Sequence, residues 1–392
     1  MSTPPPALPP VRTAVVGLGW VARSVWLPRL LNSPAFTVTA AVDPDERGRA
    51  AVTGPEGAGP TGLSVLASVA GLDPAEVDLA VVAVPNHLHC AVACELLTKG
   101  IAVFLEKPVC LTSQEAERLA AAERAGGTVL LAGSAARHRA DVRGLYRAAE
   151  RLGEVRHIEL AWVRARGVPD RGGWFTRRSL AGGGALVDLG WHLLDIAAPL
   201  LGTAAFRHAI GTVSADFITR ASSRAAWRDD DNDAEGEGEG AGEGAGEGAG
   251  DAAGRGGTDV EDTARGFLVT DDGRSVALHA SWASHEAVDT TRVTVDGSAG
   301  SATLRCTFGF SPNRLDESVL TRTAEGTTRR LAVPAERVGA EYDRQLALLP
   351  GLLHDPAAQG RAIAEARRTI GAIERVYTSA RAVQEVRESA PV

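Results

Sequence analysis

Val103-Phe104-Leu105-Glu106-Lys107-Pro108 is an apolar run that follows Lys99-Gly100 and stops at a charged pair and a proline. A short apolar run bounded by turn residues predicts a buried strand that breaks into a loop at its carboxyl end. In an open parallel sheet, ligands bind just beyond those ends, so Lys107 there presents an ammonium to a crevice. Taken alone, the tripeptide Glu106-Lys107-Pro108 reads more readily as a strand-end ion pair on the surface. The segments around it supply the other strands and turns of such a sheet.

Upstream, Arg12 to Val16 form a short strand that runs into Gly17-Leu18-Gly19-Trp20-Val21-Ala22. The first glycine allows a tight turn, the second lets backbone approach a pyrophosphate, and small Ala22 lets the next helix pack against the strand. That helix, Ala22 to Leu31, aims its first amides at a phosphate, with Pro28 as a break or kink. The strand Phe36 to Val42 ends at Asp43, about twenty residues beyond the glycine loop, where a carboxylate binds ribose hydroxyls. Its charge repels a 2′-phosphate, which favours NAD; Arg47 keeps NADP as the minority choice. The alternative for Asp43 is a cap for the helix around Glu46 to Val52. Residues 53–62 read as a loop.

Val77 to Val84 is another buried strand, ending in Pro85-Asn86-His87-Leu88-His89, where Asn86 is placed to bond a ribose or nicotinamide amide. His87, His89, Cys90 and Cys94 imitate a zinc cluster, but a helix start there scatters the ligands, and no metal is expected. A helix from about Thr112 to Ala125 and a strand from Val129 to Ala132 follow. Strand and helix in repetition give a doubly wound parallel domain over residues 11–135.

From Val155 the pattern changes to period two. With strand candidates at Ala264 to Val269, Ser275 to Trp282, Thr291 to Val295 and Ala302 to Cys306, it predicts an α+β domain over 136–383. Its largely antiparallel sheet has an open face that a second copy of the chain is expected to cover, giving a homo-oligomer. Glu336 to Leu353 and Arg361 to Ala382 read as amphipathic closing helices. Residues 1–10 and 384–392 read as tails, and the acidic, Gly-rich stretch 224–257 as a disordered insertion.

That insertion also explains the charge. Ten acidic residues lie between Asp229 and Asp251, so the net charge of −8 leaves the rest of the chain near neutral, with no basic stripe for nucleic acid. No run of eighteen or so apolar residues marks a membrane span, and the start lacks a secretory signal, so a cytoplasmic protein is expected. Four cysteines in 392 residues are too few for a disulfide scaffold.

The other informative stretch is Gly182-Gly183-Gly184-Ala185-Leu186-Val187-Asp188-Leu189-Gly190-Trp191-His192. A glycine run enters a helix on which Asp188 and His192 stand four apart on one face, with Asp195 at its border. An imidazole beside a carboxylate serves proton transfer near neutral pH; the alternative is a core histidine satisfied locally. Gly172 to Thr176, with Trp174, supply a possible pocket wall, and Arg137 begins the crossover between the halves.

Taken together, Gly17-x-Gly19, Glu106-Lys107-Pro108, Gly182-Gly183-Gly184 and Asp188-x-x-x-His192 resemble the glucose–fructose oxidoreductase, inositol dehydrogenase and rhizopine catabolism (Gfo/Idh/MocA) family. The resemblance runs from about Val11 to the helix at Glu341-Tyr342-Asp343-Arg344-Gln345, interrupted by the insertion. It departs at Ala22, where the family has a third glycine. It implies a Rossmann domain joined to an α+β domain, NAD as cofactor, and Lys107, Asp188 and His192 as the catalytic residues. Gly17, Gly19, Asp43, Asn86 and Glu106 match cofactor-contacting positions, with Trp20, Val21, Ala22, Pro85, His89 and Lys107 beside them. Arg137, Trp174 and Asp195 are the expected substrate contacts. The implied reaction interconverts a secondary alcohol and a ketone on a sugar, aminosugar or cyclitol; the alanine- and arginine-rich composition resembles that of actinobacterial proteins, where such enzymes often modify aminosugars of secondary metabolites. In it His192 accepts the hydroxyl proton, Lys107 stabilises the alkoxide and Asp188 orients His192, although Lys107 and His192 could exchange roles. An NAD-retaining glycosidase and a non-catalytic NAD and sugar sensor are the rival readings.

Overall fold

The computed structural model describes residues 9–53, 62–169, 173–220, 223, 225 and 258–389. The expected tail at 1–8, most of the loop at 53–62, Gly172 and the acidic insertion apart from Ala225 lie outside the described residues.

Six strands, β1 (Val11–Val16), β2 (Phe36–Val42), β3 (Ser64–Leu66), β4 (Leu79–Val82), β5 (Ala102–Leu105) and β6 (Leu130–Ala132), form one sheet. Its order is β3-β2-β1-β4-β5-β6, and every pair is parallel. The strand order reverses between β1 and β4, which opens the crevice of a doubly wound sheet at their carboxyl ends. β4 and β5 are buried along their whole length because helices cover both faces. Val81 and Phe104 enter one core with Trp26 and Leu30. Val82 and Leu105 enter the other with Leu96, Leu97 and Leu119.

The first helix begins as a π-helical turn, Val21–Trp26, and continues as α1, Leu27–Leu31. Pro28 falls where the π-helical turn gives way to α1. α2 (Glu46–Thr53), α3 (His89–Thr98) and α4 (Ser113–Gly126) complete the layers. Thr112 caps α4 by accepting the Glu115 N–H, and the Glu115 side chain accepts from Leu111 in return.

After α5 (Ala140–Ala149) comes the second sheet, built from β7 (Val155–Val163), β8 (Phe206–Ser214), β9 (Thr263–Thr270), β10 (Ser275–Ser281), β11 (Thr290–Gly297), β12 (Gly300–Cys306), β13 (Val319–Ala324) and β14 (Thr327–Leu331). The order is β14-β13-β12-β11-β7-β10-β9-β8, antiparallel throughout except for the parallel pair β7 and β10. Beyond the short α6 (Arg178–Ala181), α7 (Trp191–Leu201) packs with α5 and α9 (Arg361–Ser389) on one face. On the other, the directly paired Ile210 and Phe267 are 70% and 46% exposed.

Two details depart from the expected division. α8 (Ala340–Leu353) crosses back to the first sheet, where Leu346 and Leu349 share a core with Val15 and Phe104. α9 continues to Ser389, past the point where a tail was expected. The helical stretch Arg178–Leu201 is long and apolar enough to cross a membrane by length and composition, yet 72% of its apolar window is buried in the fold, so core packing accounts for its apolarity.

Candidate active site

The glycine loop is shaped from both sides. Gly17 has φ 83°, and a Cβ there would lie 2.8 Å from the Ala83 carbonyl, so only glycine fits between β1 and the end of β4. A Cβ on Gly19, by contrast, would meet nothing within 4 Å, leaving open space over the backbone where a pyrophosphate approaches. The Asp43 carboxylate accepts the Leu18 N–H at 2.7 Å and the Asp45 N–H at 2.8 Å, which ties the loop to the end of β2. Ala22 is fully buried against the sheet with Val25 and Trp26. Trp20 stands at the cleft edge, edge-on to Phe310 with ring centroids 5.6 Å apart. The loop therefore fits a dinucleotide: Gly19 offers the approach, and Asp43 stands at the ribose end.

Two residues expected to touch the cofactor have side chains engaged by main-chain carbonyls. His89 is 1% exposed, with its ring nitrogens 2.6 Å from the Pro108 carbonyl and 2.9 Å from the Val84 carbonyl. Burial pushes its pKa down to about 4, against the two carbonyl contacts. It thus ties the end of β4 to the turn after Lys107 and does not face the cleft. Asn86, just past Pro85, donates from Nδ2 to the Ala181 carbonyl at 3.0 Å, joining the two halves.

Glu106 faces the cleft. Its Oε1 accepts the Trp26 indole N–H at 2.7 Å and its Oε2 accepts the Lys107 N–H at 3.0 Å. Burial raises its carboxyl, opposed by the Lys107 charge and these two bonds.

Lys107 Nζ reaches across the cleft to Asp188 Oδ1 at 2.7 Å. The other Asp188 oxygen accepts the indole N–H of the fully buried Trp282 at 2.9 Å. Burial works to raise the Asp188 carboxyl, but the charges of Lys107 and Arg164, with the Lys107 and Trp282 hydrogen bonds, hold it well below the usual carboxylate range. His192 lines the same cleft, its ring 5.6 Å from that of Trp162. Burial, then the charge of Lys107, pushes its pKa down to about 3, with Asp188 opposing, so the imidazole is neutral at working pH.

The Asp188 carboxylate turns to Lys107 and Trp282 and makes no hydrogen bond to His192. Leu186–Gly190 is π-helical, and α7 starts only at Trp191. Both Asp188 oxygens are engaged by Lys107 and Trp282, and among the described residues His192 has no hydrogen-bond partner. Asp188 is bonded to Lys107, and it acts on His192 through its charge.

The structure does not bring Arg137 and Asp195 to this cluster. They form a buried pair at 2.6 Å, with Arg137 also 2.5 Å from Glu365 on α9 and with Ser134 donating to Asp195 at 3.1 Å. Trp174 packs edge-on against Phe175 at 5.0 Å, and Phe175 is the one that lines the cleft. The far wall carries residues that pattern reading missed: Arg139, Trp162, Arg164 and Phe308, with Tyr342 from α8. Trp282 stood at the end of an expected strand, which gave no sign that its indole bonds Asp188. The cleft encloses about 190 Å³. Among the described residues no three His, Cys, Asp or Glu side chains gather to hold a metal ion.

This arrangement has counterparts. Residues 11–134 match the model of an oxidoreductase family with an NAD-binding Rossmann fold, and residues 146–303 match the GFO/IDH/MocA C-terminal domain. Over 370 residues, 94% of this chain and 96% of the relative, the sequence is 57% identical to a protein of Amycolatopsis mediterranei (strain S699) described as "Putative UDP-kanosamine synthase oxidoreductase subunit". D-glucoside 3-dehydrogenase of Escherichia coli (strain K12) is 29% identical over 197 residues, which is 49% of this chain and 54% of that one. In fold, the chain superposes on GenD2 from gentamicin A biosynthesis, solved with NAD, with a TM-score of 0.68, 24% identity and 97% of each chain covered. With the aldose–aldose oxidoreductase of Caulobacter crescentus the TM-score is also 0.68, at 20% identity, over 95% of this chain and 98% of that one. Both domain models, in order along one chain, and a relative alike over nearly its whole length lead to one conclusion: the chain belongs to the Gfo/Idh/MocA family of NAD-binding oxidoreductases.

Proposed function

We propose that this enzyme oxidises one secondary alcohol of a nucleoside-diphosphate hexose to a ketone, at carbon 3, with NAD as the acceptor. The observation that carries the reading is the meeting of Lys107 and Asp188 across the cleft at 2.7 Å, beside neutral His192. The substrate class follows from the 57% identical relative, whose description names a UDP-sugar. Carbon 3 is supported by the E. coli D-glucoside 3-dehydrogenase and by the dTDP-3,4-didehydro-2,6-dideoxy-alpha-D-glucose 3-reductase of Streptomyces antibioticus, 31% identical over 52% of this chain and 60% of that one.

When bound beyond the ends of β1 and β4, the nicotinamide supplies the hydride acceptor. Gly17, Gly19 and Asp43 would hold the cofactor, and the Asp43 charge would favour NAD over NADP. Neutral His192 takes the hydroxyl proton. The Lys107 ammonium donates a charge-assisted hydrogen bond to the same oxygen as negative charge develops on it. Asp188 balances that ammonium and fixes its position, and Trp282 holds Asp188. The enzyme works in the cytoplasm as a homo-oligomer built through the open face around Ile210 and Phe267; Phe267→Glu then yields a smaller species in light scattering, and an unchanged mass removes that face.

The test uses the purified chain with NAD and UDP-glucose, trapping the product with borodeuteride. Reduced nicotinamide equimolar with ketone, and deuterium at carbon 3, support the reading. Free sugar without net reduction of NAD indicates glycosidic cleavage instead, and binding without turnover indicates a sensor.

A further inference from the structure

The helix that delivers Asp188 and His192 is gripped from outside the cleft by Glu261, a residue 3% exposed at the start of the segment leading into β9. Glu261 Oε1 accepts the N–H groups of Gly184 at 3.0 Å and Leu186 at 3.1 Å, together with the Tyr377 hydroxyl at 2.7 Å. Its Oε2 lies 3.3 Å from the Arg178 guanidinium. The main chain joins in: the Glu261 carbonyl accepts the Ala185 N–H at 3.1 Å. A Cβ on Gly184 would come 1.8 Å from that carbonyl, and one on Gly183 would come 2.0 Å from the Tyr377 hydroxyl. The glycine run is therefore fixed by close contact with Glu261 and Tyr377.

The grip passes directly to the site. The Gly184 carbonyl accepts the Asp188 N–H at 3.0 Å, so the residue held by Glu261 holds Asp188 in turn. The next residue, Asp262, is fully buried, and its carbonyl accepts the Trp282 N–H at 2.8 Å. One dipeptide thus controls both the backbone of Asp188 and the tryptophan whose indole bonds the Asp188 side chain.

We propose that Glu261 is a positioning residue for the reaction, setting the depth of the Asp188 helix and, through Asp262, the placement of Trp282. An apolar residue would fill the same volume at less desolvation cost, but it would leave the first amides of this helix without an acceptor. Those amides determine where the Lys107–Asp188 pair forms. The proposal rests on the reading of Lys107, Asp188 and His192 as the catalytic group, and its test separates the two.

Full-length Glu261→Gln, Glu261→Ala and Tyr377→Phe are compared with wild type for kcat and KM on UDP-glucose, for NAD affinity, and for the Trp282 indole N–H resonance, assigned with Trp282→Phe. Glu261→Ala is expected to lower kcat about 100-fold with NAD affinity unchanged, the loss expected of a reacting group displaced by about 1 Å. Glu261→Gln keeps an acceptor oxygen and restores most of the rate. Tyr377→Phe deletes one hydrogen bond and costs about three- to tenfold. The Trp282 resonance moves in Glu261→Ala and Tyr377→Phe. If Glu261→Ala does not fold, Tyr377→Phe decides. Wild-type kcat with an unmoved Trp282 resonance in a folded variant overturns the proposal, as does a loss of rate that Gln does not restore. If wild type oxidises no sugar, the proposed function fails, and the resonance alone decides this inference.

Discussion

Replacing Asp188 by Asn tests the electrostatic heart of the site. The amide keeps an oxygen for the Trp282 indole, now 2.9 Å away, but removes the charge that Lys107 Nζ meets at 2.7 Å. At that separation and an effective dielectric of about 20, the direct attraction is about 6 kcal/mol. Desolvation offsets much of it, and breaking a buried pair by removing one partner costs about 3–5 kcal/mol. With the Lys107 and Asp188 side chains 20% and 11% exposed, the lower end applies, about 3 kcal/mol. An ammonium free to leave its place also loses its aim at the substrate oxygen, worth about 100- to 1,000-fold in kcat. The Asp188 carboxyl lies below its unfolded value of 3.8, so its contribution to stability is complete above that pH and is lost as pH falls further. Urea unfolding and steady-state kinetics check both effects. Wild type and variant should differ by a constant amount near neutrality, with the gap closing below about pH 3.8. NAD affinity should hold. Unchanged kcat together with an unchanged unfolding midpoint would refute the reasoning, and so would a loss confined to NAD binding.

Three further outcomes follow from the geometry. His192→Asn should lower kcat by about 100- to 10,000-fold with little change in KM, because it removes the proton acceptor; a loss confined to KM would assign His192 to binding alone. In wild type, His89, His138 and His279 are pushed down to about 4 and His192 to about 3, in each case chiefly by burial. The unfolded chain therefore takes up protons first, and stability falls as pH drops from 6.5 towards 4. His89→Gln should flatten that decline by about 1.4 kcal/mol per pH unit in urea titrations, and an unaltered slope would mean that His89 is protonated in the fold. Asp43→Ala should weaken NAD and raise the relative use of NADP, read from the ratio of their kcat/KM values; an unchanged ratio would make Asp43 only the tie of the glycine loop seen in its bond to Leu18.

The parallel sheet was legible because strands such as β4 and β5 are buried on both faces and read as unbroken apolar runs. β8, β13 and β14 were not, because they are half exposed, with Gly211 inside β8 and Thr-Thr-Arg-Arg along β14. The hairpin between β13 and β14 did leave a trace, since Glu325 and Gly326 both take positive φ, a Gly-containing two-residue turn. Lys107, Asp188 and His192 were found as separate pieces, but their pairing was not, because contact between residues 81 apart in sequence depends on tertiary structure. Spacing alone favoured a bond between Asp188 and His192, whereas the Asp188 oxygens bond Lys107 and Trp282. His89 and Asn86 sit at strand ends where cofactor contacts are expected, yet their side chains are engaged by the Pro108, Val84 and Ala181 carbonyls. Nothing in the local sequence distinguishes a brace from a contact.

The most direct test of the account is single-turnover reduction of NAD by UDP-glucose in Lys107→Met compared with wild type, with NAD affinity measured on the same samples. The account predicts that the hydride-transfer rate falls by at least about 100-fold while NAD binds as before. Reduction of NAD at the wild-type rate in that variant would contradict it.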